Sequence, residues 1–145
     1  MLEAQPLAQI LSVEQLDEML LAERECGIVL RFGRGTDPRC SSMDAALRDA
    51  SEELDGLVHA YSVDIGDVGD YRDLYELYDP CTLMMFFDGH PVMLPLQPFP
   101  DVKLTSLDDL GRGAEGHAEE RGGANLRHRV QQSVQLRRDL ANLVL

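Results

Sequence analysis

Basic residues are scarce in this chain. Lys and Arg number 13 against 26 Asp and Glu, giving a net charge of -13. A surface of that sign repels phosphate backbones, which excludes a nucleic-acid footprint for the domain as a whole and argues against anionic membranes. It favours solubility, and basic protein partners where charge steers association. Cysteines are also few. Cys26, Cys40 and Cys81 make an odd, widely spaced set, which excludes a secreted disulfide framework. Long apolar runs are missing: the longest covers residues 83–87, far below the roughly 20 that a membrane helix needs. The opening MLEAQPLAQIL carries an acid and no basic stretch, so no signal peptide is expected. An intracellular, reducing compartment is the expectation. There is no GxGxxG, no phosphate-binding glycine loop and no supportable Ser-His-Asp arrangement. His59, His117 and His128 lack metal-ligand spacing. No cofactor, metal or small-molecule substrate is therefore expected.

What the chain does have is enough length, 145 residues, for one domain with a sizeable core. In LSVEQL, Ser12 with Gln15 three residues on has the spacing of a capping box, and Leu11 and Leu16 fit a hydrophobic staple. A helix is predicted over 13–25. GIVLRF (27–32) reads as a buried strand. Asp37 and Pro38 then start a helix near 38–54, with Cys40, Met43, Leu47, Ala50 and Leu54 on one face. A strand over 57–65 and a short helix over 70–78, with Asp70 as its cap, come next. Residues 82–87 and 91–96 flank Asp88-Gly89-His90, a strong hairpin signal. Residues 97–124, rich in glycine and charge after early prolines, read as a mobile insertion. A last helix is expected from about 125, with Arg127, Arg129, Arg137 and Arg138 near its polar side, either a solvated face or a contact for an acidic partner. The order α-β-α-β-α-β-β-α predicts a single α/β domain: a thioredoxin-like central mixed sheet with helices on both faces.

The order raises the question of redox chemistry. A thioredoxin needs a thiolate at a helix N-terminus and a second thiol to resolve the mixed disulfide. Here the place three residues before Cys40 holds Asp37. A carboxylate there caps a helix and cannot attack a disulfide. Cys40 itself is either a small buried hydrophobe or the partner of Cys81. In such a sheet the loop before the hairpin packs against the start of this helix, which would bring Cys81 close. Bonding needs Cα atoms roughly 4.4–6.8 Å apart, so the disulfide stays open. Pro80 lies one position before the place where thioredoxins carry a cis-proline, and a trans bond is expected before Cys81. Asp64 and His90 read as turn or cap groups.

Three segments carry a closer likeness. VLRFGRGTDPRCSSMD (29–44), YSVDIGDV (61–68) and YELYDPCTLMMFF (75–87) resemble the thioredoxin-like Dim/Dib family of the spliceosomal U5 snRNP and tri-snRNP, over about residues 12–95. The joined motifs D-P-x-C and Y-E-L-Y-D-P-C-T are highly specific. The matching positions are Asp37, Pro38 and Cys40, then Tyr78, Asp79, Pro80 and Cys81, which the resemblance marks as fold-and-surface positions without catalytic groups. Cys40 and Cys81 are the pair to examine for a disulfide.

The resemblance implies a nuclear, non-enzymatic pre-mRNA splicing factor. It would be a scaffold or placeholder that binds large spliceosomal proteins and leaves around spliceosome activation, with RNA met only by proximity. The last third departs from the family pattern, ending on LANLVL in place of a short basic tail. Two rivals stand beside this reading: a thiol-disulfide oxidoreductase using Cys40 and Cys81, and a thioredoxin-like adaptor outside splicing.

Overall fold

The computed structural model describes residues 7–54, 56–96, 99–106, 127–128 and 130–132. A five-stranded sheet organises them. Its elements are β1 (Ala8–Ile10), α1 (Val13–Ala22), β2 (Gly27–Gly33), α2 (Pro38–Glu53), β3 (Val58–Asp64), α3 (Gly69–Tyr75), β4 (Cys81–Phe87) and β5 (His90–Pro91). The strand order is β1-β3-β2-β4-β5. β1 and β2 flank β3 in parallel, whereas β4 runs antiparallel to β2 and β5 antiparallel to β4.

Alternation along the strands sorts side chains to the two faces. Val29, Leu83 and Met85 point to α2, where Met43, Leu47 and Ala50 meet them. Ile28, Leu30, Phe32, Met84 and Phe86 point the other way, to Leu16 and Leu20 of α1 and to Tyr71 and Tyr75 of α3. β2 is buried along its whole length, as a central strand covered on both faces must be.

Local chemistry sets the helix ends. Ser12 Oγ accepts the amide of Gln15 (3.1 Å), and Gln15 Oε1 accepts that of Leu11 (2.8 Å), which closes the capping box one residue further out than the usual form. Leu11 stays 65% exposed, so the expected staple against Leu16 is not made. α1 stops at Ala22 because Glu23 turns extended and its carboxylate takes the amides of Glu25 and Cys26. At α3 the expected cap Asp70 lies inside the first turn. A 3-10 turn, Ile65–Asp67, capped by Asp64 through the Gly66 amide (2.8 Å), feeds the chain in and starts the helix at Gly69. Glu76 adopts a left-handed conformation (φ 54°) and ends it three residues short of the predicted limit.

Two expectations on the sheet need correction. The predicted order opens on a helix, but Ala8–Ile10 precede it as a strand paired with Tyr61, Ser62 and Val63. The hairpin's second strand, predicted over 91–96, is only His90–Pro91, so His90, expected in the turn, lies in the strand opposite Phe87. Val92 still donates to Met85 (2.8 Å), and Pro95 beyond it has no N–H for a ladder. The chain instead turns back. Leu94 bridges Asp101, and Leu104, fully buried, exchanges both backbone hydrogen bonds with Leu83 (2.8 and 2.9 Å). Residues 99–106, inside the expected 97–124 insertion, thus extend the edge of the sheet. Residues 107–124 lie outside the described residues. Of the last helix, residues 127–128 and 130–132 are helical, and Val130 is buried on the α2 face of the sheet.

Candidate functional site at the start of the second helix

β2 and β4 converge on the first turn of α2. Asp37 stands at that turn. Its Oδ1 accepts the amide of Arg39 (2.8 Å), and its carbonyl accepts the amides of Cys40 (3.0 Å) and Ser41 (3.3 Å). The Arg39 side chain returns to the same carboxylate at 3.1 Å. Hydrogen bonds from the Arg39 side chain and backbone hold Asp37 below the usual carboxylate range. It is therefore an anion on a helix N-terminus, where the macrodipole favours negative charge.

One turn in, Cys40 is fully buried, and its Sγ lies 3.5 Å from the carbonyl of Pro80. Cys81 is buried beside it in the same core. Both are free thiols. Burial pushes the Cys81 thiol up, the neighbouring Cys40 adds to this, and the charge of Arg31 offsets it only in part. A thiol must ionise to attack a disulfide. Cys81 is held away from that state, and both cysteines are buried.

Gly33 makes the close approach feasible. It pairs with Cys81 across the sheet. A Cβ at Gly33 would fall 2.5 Å from Cys40 Sγ and 2.7 Å from the Pro80 carbonyl oxygen, and φ is +152°. Only a residue without a side chain lets helix start, strand end and Pro80 meet here.

Beneath the cysteines lies an ion pair. Arg31, on the α2 face of β2, holds Asp44 through Nε (2.7 Å) and a terminal guanidinium nitrogen (3.1 Å). Their side chains are 5% and 18% exposed. Burial works against the Arg31 charge, but the hydrogen bonds and charge of Asp44 outweigh it and hold its pKa above the ordinary value. Such a bidentate, nearly dry pair fixes the geometry between α2 and β2.

The structure thus brings Asp37, Pro38, Cys40, Pro80 and Cys81 together. Tyr78 and Asp79 lie on the loop that leads into Cys81, both exposed. Sequence reasoning missed Gly33, Arg31 and Asp44. A charged residue inside the buried run GIVLRFG was the available signal, since such a charge needs a partner.

A mixed sheet with helices on both faces, and a capping carboxylate where an attacking thiol would stand, define a thioredoxin-like protein without a dithiol at its helix start. A thioredoxin of Malassezia sympodialis has the same fold: TM-score 0.59 over 92% of this chain and 96% of that one, at 15% identity. Residues 7–105 match the family described as Mitosis protein DIM1, and the chain belongs to that family. Mitosis protein dim1 of Schizosaccharomyces pombe is 37% identical over 81 residues, 56% of this chain and 57% of that protein. Spliceosomal protein DIB1 of Saccharomyces cerevisiae is 33% identical over 87 residues, 60% of this chain and 61% of that protein. The matched stretch spans less than two thirds of these relatives' length.

Proposed function

We propose that this chain is a non-enzymatic, nuclear splicing protein. It acts as a thioredoxin-like scaffold or placeholder of the U5 snRNP and tri-snRNP that leaves around spliceosome activation. Its partners are large spliceosomal proteins, with RNA only nearby. The observation that carries the reading is the Asp37 carboxylate capping α2, with Cys40 and Cys81 buried behind it. A site built this way rigidifies a surface and has no exposed nucleophile to offer. Family membership and relatives named for the spliceosome support the same assignment. Affinity purification from nuclear extract tests it. U5 proteins should be recovered with the tagged chain above a thioredoxin control, and their absence would overturn the assignment. Cys40 and Cys81 lie close enough to be examined for a disulfide, whose formation would lock the site without giving it turnover.

A further inference from the structure

The sheet face opposite the cysteines carries an open groove between α1 and α3. Its volume is about 400 Å³. Val13, Asp17 and Leu21 form one wall, at helical steps of four, and Asp70 and Leu74 form the other, with Phe86 on the floor. Leu21 and Leu74 are 70% and 69% exposed, two large apolar side chains left in water on facing helices. The charged groups on the walls, Asp17 and Asp70, are both acids, and no lysine or arginine lines the groove. Tyr71 and Tyr75 also line it, and the Tyr71 hydroxyl donates to Asp17 from the facing helix, leaving the other carboxylate oxygen of Asp17 for a partner's cation. The arginines next along the chain are already engaged, Arg24 with Asp88 (3.8 Å) and Arg72 with Asp73 (3.3 Å).

We propose that this groove is a docking site for a basic amphipathic helix of a partner protein. Its apolar residues would pack between Leu21 and Leu74, and its lysines or arginines would meet Asp17 and Asp70. The inference rests on the reading of the chain as a protein-binding subunit and names one of its surfaces. Helix-in-groove recognition needs an apolar floor with a charged rim, and the charge of the rim selects the partner. A second copy of this chain fits poorly, because it would bring another net charge of -13 to an acidic face. Val130, in the described part of the last helix, is buried on the α2 face, across the sheet from the groove.

The test uses the full chain and a fluorescein-labelled leucine-lysine peptide of repeat LKKLLKL, read by anisotropy, with LEELLEL as the charge-inverted control. Leu74→Ser, Leu21→Ser and Asp70→Lys should each weaken binding by on the order of five- to tenfold. Asp49→Lys makes the same charge change on an exposed position of α2 and should alter binding by less than about twofold. The substituted leucines are exposed, so unchanged circular dichroism is expected and is checked alongside. The proposal is overturned if Asp49→Lys weakens binding as much as Asp70→Lys, if LEELLEL binds equally, if the serine variants bind like wild type, or if wild type binds no peptide. A dimer in sedimentation that Leu74→Ser dissolves would assign the groove to a second copy and overturn it too. In nuclear extract the two readings separate. U5 proteins recovered equally by wild type and Leu74→Ser would sink the groove alone. With no U5 proteins recovered by wild type, the splicing assignment fails and the peptide result still decides the groove.

Discussion

Gly33→Ala is the sharpest probe of how the site is built. The added methyl would lie 2.5 Å from Cys40 Sγ and 2.7 Å from the Pro80 carbonyl oxygen. Neither neighbour yields easily, since one is a fully buried sulfur and the other is backbone. Overpacking of this kind costs about 1–3 kcal/mol. A side chain at φ +152° adds strain of about 1–3 kcal/mol. A loss of about 2–6 kcal/mol follows, a large part of the roughly 5–15 kcal/mol that holds a domain together. Urea unfolding followed by circular dichroism measures it as a fall in midpoint at constant slope. Gly35→Ala is the internal control: nothing lies within 4 Å of its Cβ position, so a change within about 0.5 kcal/mol is expected. Adding Cys40→Ala to Gly33→Ala removes one of the clashing atoms, and the two losses should sum to more than the double variant shows. If Gly33→Ala unfolds like wild type, or if the pair is strictly additive, the close approach described here is wrong.

Three further outcomes follow from the same geometry. Asp44→Ala leaves the Arg31 charge buried and unpaired and should cost about 3–5 kcal/mol in the same melts, whereas replacing both by apolar residues of similar size should cost much less. Under native conditions a thiol reagent should modify the half-buried Cys26 first and reach Cys40 and Cys81 only after denaturant is added; equal rates for all three would contradict the burial at the helix start. Asp37, held below the usual carboxylate range by Arg39, binds its proton more readily when unfolded. Its contribution is therefore present above about pH 4 and is lost as pH falls through its lower folded value. The stability gap between wild type and Asp37→Ala should shrink across that acid limb, and a gap that does not change with pH would refute the charged cap.

Most of this frame was legible in the residues because it rests on local chemistry. The capping box at Ser12, the start of α2 at Asp37 and Pro38, the buried stripe from Cys40 to Leu54 and the Asp-Gly turn each follow from a few neighbouring side chains. The early ends of α1 at Glu23 and of α3 at Glu76 are local misses; the larger ones are cases where a distant element decides. Three residues at Ala8–Ile10 carry no periodicity of their own and become a strand only by lying beside β3. Leu104 sits in a stretch whose composition reads as loop, yet Leu83 offers it a free edge. Gly33 looks like one glycine of a loop, and only the meeting of β2, α2 and Pro80 shows why no side chain fits. Arg31 and Asp44 stand 13 residues apart on different elements, so their pairing depends on which face of β2 turns to α2. The nearness of Cys40 to Cys81 was readable because the strand order fixes it.

The most direct measurement is reduction of insulin disulfides by the purified chain with dithiothreitol as electron source. With a carboxylate at the helix start and the sulfurs buried behind it, the rate should match the dithiothreitol background, and Cys40→Ser should change nothing. Repeated turnover by wild type, abolished by Cys40→Ser, would contradict the account.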